Sequence, residues 1–261
     1  MGKVLLLCAV FYGFTIFGTM VDGTLKHFGI KLEMATALFF ELLAAWVFTL
    51  WISTKMISFP WHALYRLGKF PGNYTVPLIL AGFGLSIVLS EAASLIPMPD
   101  VAKELFLSLF AGNRVFVFLG VCVLAPVAEE LFFRGFVFRS FLHRYSAGKA
   151  MFVSSLLFAV FHLNPWQAVV AFVIGLLNAW LLARTDSLIP GMVVHFAVNF
   201  TGSFLLTALG RLFGLTEQEL IDLRHMPWQM LLIGGVSAGA GLLWLFRLRP
   251  TANDPASRCN S

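Results

Sequence analysis

Charge is what this sequence has least of. Only 12% of its 261 residues are Asp, Glu, Lys or Arg, against 59% hydrophobic. A soluble domain carries roughly 25% charged residues, so the deficit excludes a soluble globule. Cysteine is scarcer still. Cys8 and Cys122 lie in apolar runs and Cys259 in a polar tail; without pairing or ligand spacing they exclude a disulfide framework and a thiolate zinc site. No basic stripe with interleaved aromatics exists, so the net charge of +5 does not point to nucleic acid. No A-x-A-like site follows the apolar run after Lys3, which reads as a retained helix rather than a signal peptide. Met1-Gly2 lacks the Ser or Thr of a myristoylation signal, and Cys259-Asn260-Ser261 is not a C-a-a-X box. Also absent are H-E-x-x-H, G-x-S-x-G and G-x-G-D, which removes three common hydrolase chemistries.

Long apolar runs are what the chain has instead, with a mean hydropathy of +0.86. A membrane-crossing helix needs about 20 mostly apolar residues. The expected fold is all-α, a polytopic transmembrane bundle of about eight helices with interfacial amphipathic elbows. The segments run near Val4–Met20, Met34–Ile52, Val76–Leu95, Val115–Leu142, Ala150–His162, Trp166–Leu182, Leu188–Leu209 and Gln229–Phe246. Elbows are expected at Asp100–Asn113, at Thr216–Trp228 and around Trp61, His62, Arg66 and Lys69. We read residues 1–261 as a single integral membrane domain, 115–206 as its chemistry-bearing core and 247–261 as a loose tail. Lys and Arg number eleven on the side of both termini and six opposite. The chain is therefore expected in the cell (inner or plasma) membrane with both termini cytoplasmic.

Ionisable groups at membrane depth are costly, which makes each a candidate for function. Neighbouring Glu129 and Glu130 cannot share a helical face, because adjacent residues are about 100° apart. Glu130 and Arg134 are spaced i, i+4 with the acid first, the favourable ion-pair order. Arg134 then neutralises Glu130 as a structural pair and leaves Glu129 free. His195 and Asn199 are also i, i+4 and share a face. Depth agrees: Glu129 lies ten residues from Arg139 and His195 nine from Asp186, about 15 and 13 Å at ~1.5 Å per residue. Glu129 and His162 are equidistant from a hairpin tip near Tyr145-Ser146. The fifth segment is short, and its Asn164-Pro165 break needs protein or a water-filled cavity around it. Glu41, mid-way along the second segment, is a second-tier candidate that either binds the basic end of a substrate or pairs with another helix, and Asn178 beside Gly175-x3-Ala179 reads as a packing residue.

Peptide hydrolysis needs an activated water and donors for the developing oxyanion. Glu129 with His162 can supply the first, and His195 with the Asn199 amide the second. No cofactor is required by this arrangement. Two histidines and a carboxylate also suit zinc with an open position, so a divalent metal on Glu129, His162 and His195 stays an open alternative.

Glu129-Glu130-x3-Arg134, Phe158-x3-His162 and His195-x3-Asn199 resemble the three motifs of the CPBP family of intramembrane glutamic endopeptidases, which includes CaaX proteases and bacteriocin-processing enzymes. The surrounding Leu131-Phe132-Phe133-Arg134-Gly135 and Ser187-Leu188-Ile189-Pro190 fit the same pattern. The resemblance implies that Glu129 and His162 activate water, that His195 and Asn199 form the oxyanion hole, and that Glu130 and Arg134 support them. It implies a membrane-associated protein or peptide as substrate, within the lipid bilayer: a C-terminal anchor, a lipid-modified tail or a peptide precursor. From a different class, the alternative is a non-catalytic membrane binding or immunity protein that sequesters a peptide. A small transporter with a carboxylate relay is weaker, for no inverted repeat is evident.

Overall fold

The computed structural model describes residues 33–56, 65–68, 70–216 and 225–248, with scattered positions before 33 and Glu219. Among these residues the chain is helical throughout, with no strand. We number the helices α1 (Met34–Met56), α2 (Thr75–Ser94), α3 (Asp100–Ala111), α4 (Arg114–Leu142), α5 (Ala147–Phe161), α6 (Pro165–Thr185), α7 (Ile189–Leu212) and α8 (Trp228–Arg247). Six of them, all but α3 and α5, are long and apolar enough to cross a membrane. The protein is an integral, multi-pass membrane protein. Seven expected segments coincide with helices. The expected first span, Val4–Met20, lies mostly outside the described residues, as do Trp61, His62, Lys69, most of Thr216–Trp228 and the tail from 249. The 15 residues of α5 extend about 22 Å, short of the ~30 Å hydrocarbon thickness.

Two compact units make up the chain. The first holds Met1–Leu64 and Asp100–Ala128. Within it, Phe39 of α1 meets Phe116 of α4 with ring centroids 5.4 Å apart. Helix α3 buries none of its residues, as suits an interfacial elbow, and Asn113 behind it caps α4 by accepting from the Val115 amide at 3.0 Å.

The second unit holds Tyr65–Pro99 and Glu129–Ser261. At its centre α2 packs on α7 and α8, around Tyr74, Leu78, Ala81, Val194, Val198 and Leu245. Small residues let backbones approach where lipid supplies no hydrophobic drive between helices. A Cβ on Gly84 would overlap the Gly234 carbonyl and Ala238 amide of α8, and one on Gly241 would come within 2.5 Å of the Ala81 amide. Ser86 adds a hydrogen bond to the Val198 carbonyl, 3.0 Å.

The α5–α6 connection is a tight turn. Leu163 adopts a left-handed φ of 50°. Asn164 then caps α6, accepting from the Trp166 and Gln167 amides at 3.0 and 3.1 Å, with Pro165 as its first residue. The Trp166 indole donates to the Ile96 carbonyl at 2.8 Å. At the other end of α6, Asp186 turns with φ 52° and pairs with both Arg66 and Arg139, the latter at 2.9 Å.

Overpacking typically costs about 1–3 kcal/mol. Gly84→Ala should therefore lower the thermal midpoint of the detergent-solubilised protein by several degrees. Gly235→Ala, whose Cβ would meet nothing within 4 Å, should hold or raise it by up to ~1 kcal/mol of helix propensity. Equal melting of the two variants would disprove backbone contact between α2 and α8.

Candidate active site

All the sequence-derived site residues fall in the second unit: Glu129, Glu130 and Arg134 on α4, His162 at the end of α5, His195 and Asn199 on α7. Helix α4 is not uniform. Its stretches Phe118–Leu124 and Glu130–Phe138 are π-helical, with an α-helical turn at Ala125–Glu129 between them. Such i→i+5 segments occur often at functional sites, and here the change falls between the two adjacent carboxylates. In α7 the α-helical part runs from Ile189 to Phe200 before a π turn at Thr201–Leu205. His195 and Asn199 are thus one α-turn apart.

Glu130 and Arg134 are paired, Nε to Oε2 at 3.2 Å, each with about 1% of its side chain exposed. Glu130 Oε1 accepts from Asn178 Nδ2 at 2.9 Å and faces His195 Nδ1 at 3.2 Å. A carboxylate only accepts, so Nδ1 of His195 carries hydrogen and Nε2 is turned to the other carboxylate. That Nε2 lies 3.7 Å from Glu129 Oε2, beyond a hydrogen bond but within ion-pair range. Glu129 Oε2 is buried without a hydrogen-bond partner, although 13% of the side chain as a whole is exposed. His162 Nδ1 lies 2.9 Å from the Phe158 carbonyl. That oxygen can only accept, so in the neutral ring Nε2 holds the lone pair. Phe158 links the histidines, its ring centroid 4.9 Å from that of His162 and 5.7 Å from that of His195.

Glu129, Glu130, Arg134 and His195 are therefore brought together. The hairpin symmetry that set His162 beside Glu129 is not reproduced as a bond: among the described residues no hydrogen bond joins them, and His195 is the imidazole facing Glu129. Asn199 sits half-buried on the same face as His195. Glu41 is on α1, in the first unit. No three His, Cys, Asp or Glu among the described residues are grouped closely enough to hold a metal ion, so Glu129, His162 and His195 as placed do not form a ligand set.

Sequence reasoning passed over Asn178. It is a hydrogen-bonding hub rather than a packing residue, donating both to Glu130 and to the Gly191 carbonyl of α7 at 3.2 Å. The available signal was an amide mid-way along an otherwise apolar span. The two depth markers, by contrast, prove to be direct partners: Arg139 and Asp186 form an ion pair.

Residues 111–201 match the family model of type II CAAX prenyl endopeptidase Rce1-like proteins. Over that stretch, less than half of its length, the chain is similar to Rce1-like proteins. The Rce1-like stretch contains all six site residues and is in accord with the CPBP resemblance. The UPF0177 protein YxdF of Lactococcus lactis subsp. lactis (strain IL1403) is 28% identical over 94 residues, 36% of this chain and 51% of that protein. The chain thus spans about half the length of that curated relative. No solved structure matches.

Breaking a buried charge pair by removing one partner costs about 3–5 kcal/mol. Glu130→Gln should accordingly melt well below wild type, while Glu129→Gln, which removes no hydrogen bond, should melt within about 1 kcal/mol of it. The reverse order in a detergent melt would show that Glu129, not Glu130, carries the structural charge.

Proposed function

We propose that this protein is an intramembrane endopeptidase, hydrolysing a peptide bond in a membrane-associated substrate such as a C-terminal anchor, a lipid-modified tail or a peptide precursor. One observation carries the reading. In the stretch matched by the family model, a carboxylate at membrane depth, Glu129, is left without a hydrogen-bond partner, while its neighbour Glu130 is held by Asn178 and His195 at Oε1 and by the Arg134 ion pair at Oε2. A structural carboxylate would be satisfied; a general base must keep an oxygen free for the proton it takes.

The chemistry follows from the placed groups. Glu129 takes a proton from water, oriented with the lone pair of His162 Nε2, as the oxygen attacks the scissile carbonyl. Negative charge growing on the carbonyl oxygen is met by the Asn199 amide and by Nε2 of His195. Because Nδ1 of His195 already donates to Glu130, a hydrogen on Nε2 as well makes the ring an imidazolium, and Glu129 and Glu130 flank that charge. Collapse of the tetrahedral intermediate breaks the C–N bond. The amine leaves with the proton that Glu129 took. Arg134 and Asn178 act on Glu130, and Glu130 on His195. With both termini cytoplasmic, the reacting centre would lie roughly 15 Å below the cytoplasmic interface.

General-base catalysis contributes about 10²–10⁴-fold. Mass spectrometry of membrane-protein termini in cells should therefore reveal a terminus made by wild type and lost in both Glu129→Gln and His162→Ala. If Glu129→Gln yields the same termini and still rescues a deletion, the protein binds its peptide without cutting it.

A further inference from the structure

Arg134 is as buried as any side chain here, yet only one of its three nitrogens meets an oxygen. Its Nη1 and Nη2 have no hydrogen-bond partner, and neither does Glu129 Oε2 in the same cluster. Opposite charge attracts the guanidinium and the Glu129 carboxylate, which reach the same cluster through Glu130 at 3.2 Å and His195 at 3.7 Å. In a medium of low dielectric that attraction is strong, and arginine binds carboxylates through two parallel hydrogen bonds when geometry allows. A carboxylate held in that way would be a poor base. The two groups nevertheless stay apart.

A ring stands where an acceptor would be expected. The Phe158 centroid lies 4.3 Å from Arg134 Cζ, and the face of an aromatic ring carries partial negative charge that attracts a cation. Phe133, 4.9 Å away, and the two histidines fix the plane of that ring. Gly175 of α6 closes another side of the guanidinium, since a Cβ there would come within 3.1 Å of Arg134 Nη2. Phe158 is itself 1% exposed, too enclosed to be part of a substrate-binding wall.

We propose that Phe158 is a positioning residue, which holds the Arg134 guanidinium against its π face and so keeps it off Glu129, leaving that carboxylate available to the reacting water. The proposal rests on the endopeptidase reading above. It differs from mere packing in one respect: the electron density of the ring matters, not only its shape.

Phenylalanines with one, two and three ring fluorines keep nearly the same shape while draining the negative face stepwise. Each would be installed at position 158 of the full-length protein, purified in detergent. Rates would be read on a quenched fluorescent peptide spanning the bond that the wild-type terminus identifies. We expect kcat to fall with every fluorine, to about a tenth of wild type at three, with KM within twofold. In an Arg134→Lys background, where the planar fork is gone, the same series should be nearly flat, a non-additivity that a filler residue would not give. Constant kcat across the series, in protein whose cleavage depends on Glu129, overturns the role of Phe158 and leaves the endopeptidase reading standing. Cleavage undiminished by Glu129→Gln overturns that reading and this proposal with it.

Discussion

A carboxylate and a guanidinium taken wholly out of water set the terms for the second unit. Desolvating such a pair costs several kcal/mol per ion, recovered only when the remaining donors and acceptors are well met. The surroundings of Glu130 and Arg134 answer that demand in part, from three neighbouring helices, and leave both Nη atoms of Arg134 without a hydrogen bond. Asn178 reaches in from α6 and His195 from α7; α5 contributes the ring of Phe158. Two glycines stand where side chains would collide, for a Cβ on Gly191 would lie 3.1 Å from Glu130 Oε2. The pair is thus the point on which α4, α5, α6 and α7 converge. Glu129, one residue away, inherits a rigid frame without being consumed by it.

Much of this was legible in the chain. Apolar runs gave the helices nearly residue for residue, because length against bilayer thickness is a strong constraint. The i, i+4 pairing of Glu130 with Arg134 was legible for the same local reason, and it survives the π-helical stretch that contains both residues. Arg139 and Asp186, chosen independently as interface markers, are bonded to each other and so stand at one level of the bundle. What stayed hidden was tertiary or depended on fine backbone geometry. No local pattern announces a π segment, nor that an imidazole from α7, His195, would stand 3.7 Å from Glu129. Asn178 looked like a packing residue since its partners lie 48 and 13 positions away.

The family match covers the stretch that carries the candidate site and stops before α8. The contacts that hold α8 to α2 are of another kind, glycine against backbone rather than charge against charge. Within the second unit the ionic cluster and the glycine seam are therefore separable: one fixes the candidate site, the other fastens a helix that bears none of its residues.

The abrupt end of α5 has a consequence for how this sequence can change. His162 closes the helix, Leu163 reverses the chain, and Asn164 starts the next helix at once. No slack lies between the Phe158 ring and the imidazole one turn later, so a single inserted residue there would swing His162 by roughly 100° about the helix axis. The exposed link at His143–Ser146, on the opposite end of the same helix, can lengthen without moving either group. Variation in chain length is thus permitted at one end of α5 and forbidden at the other.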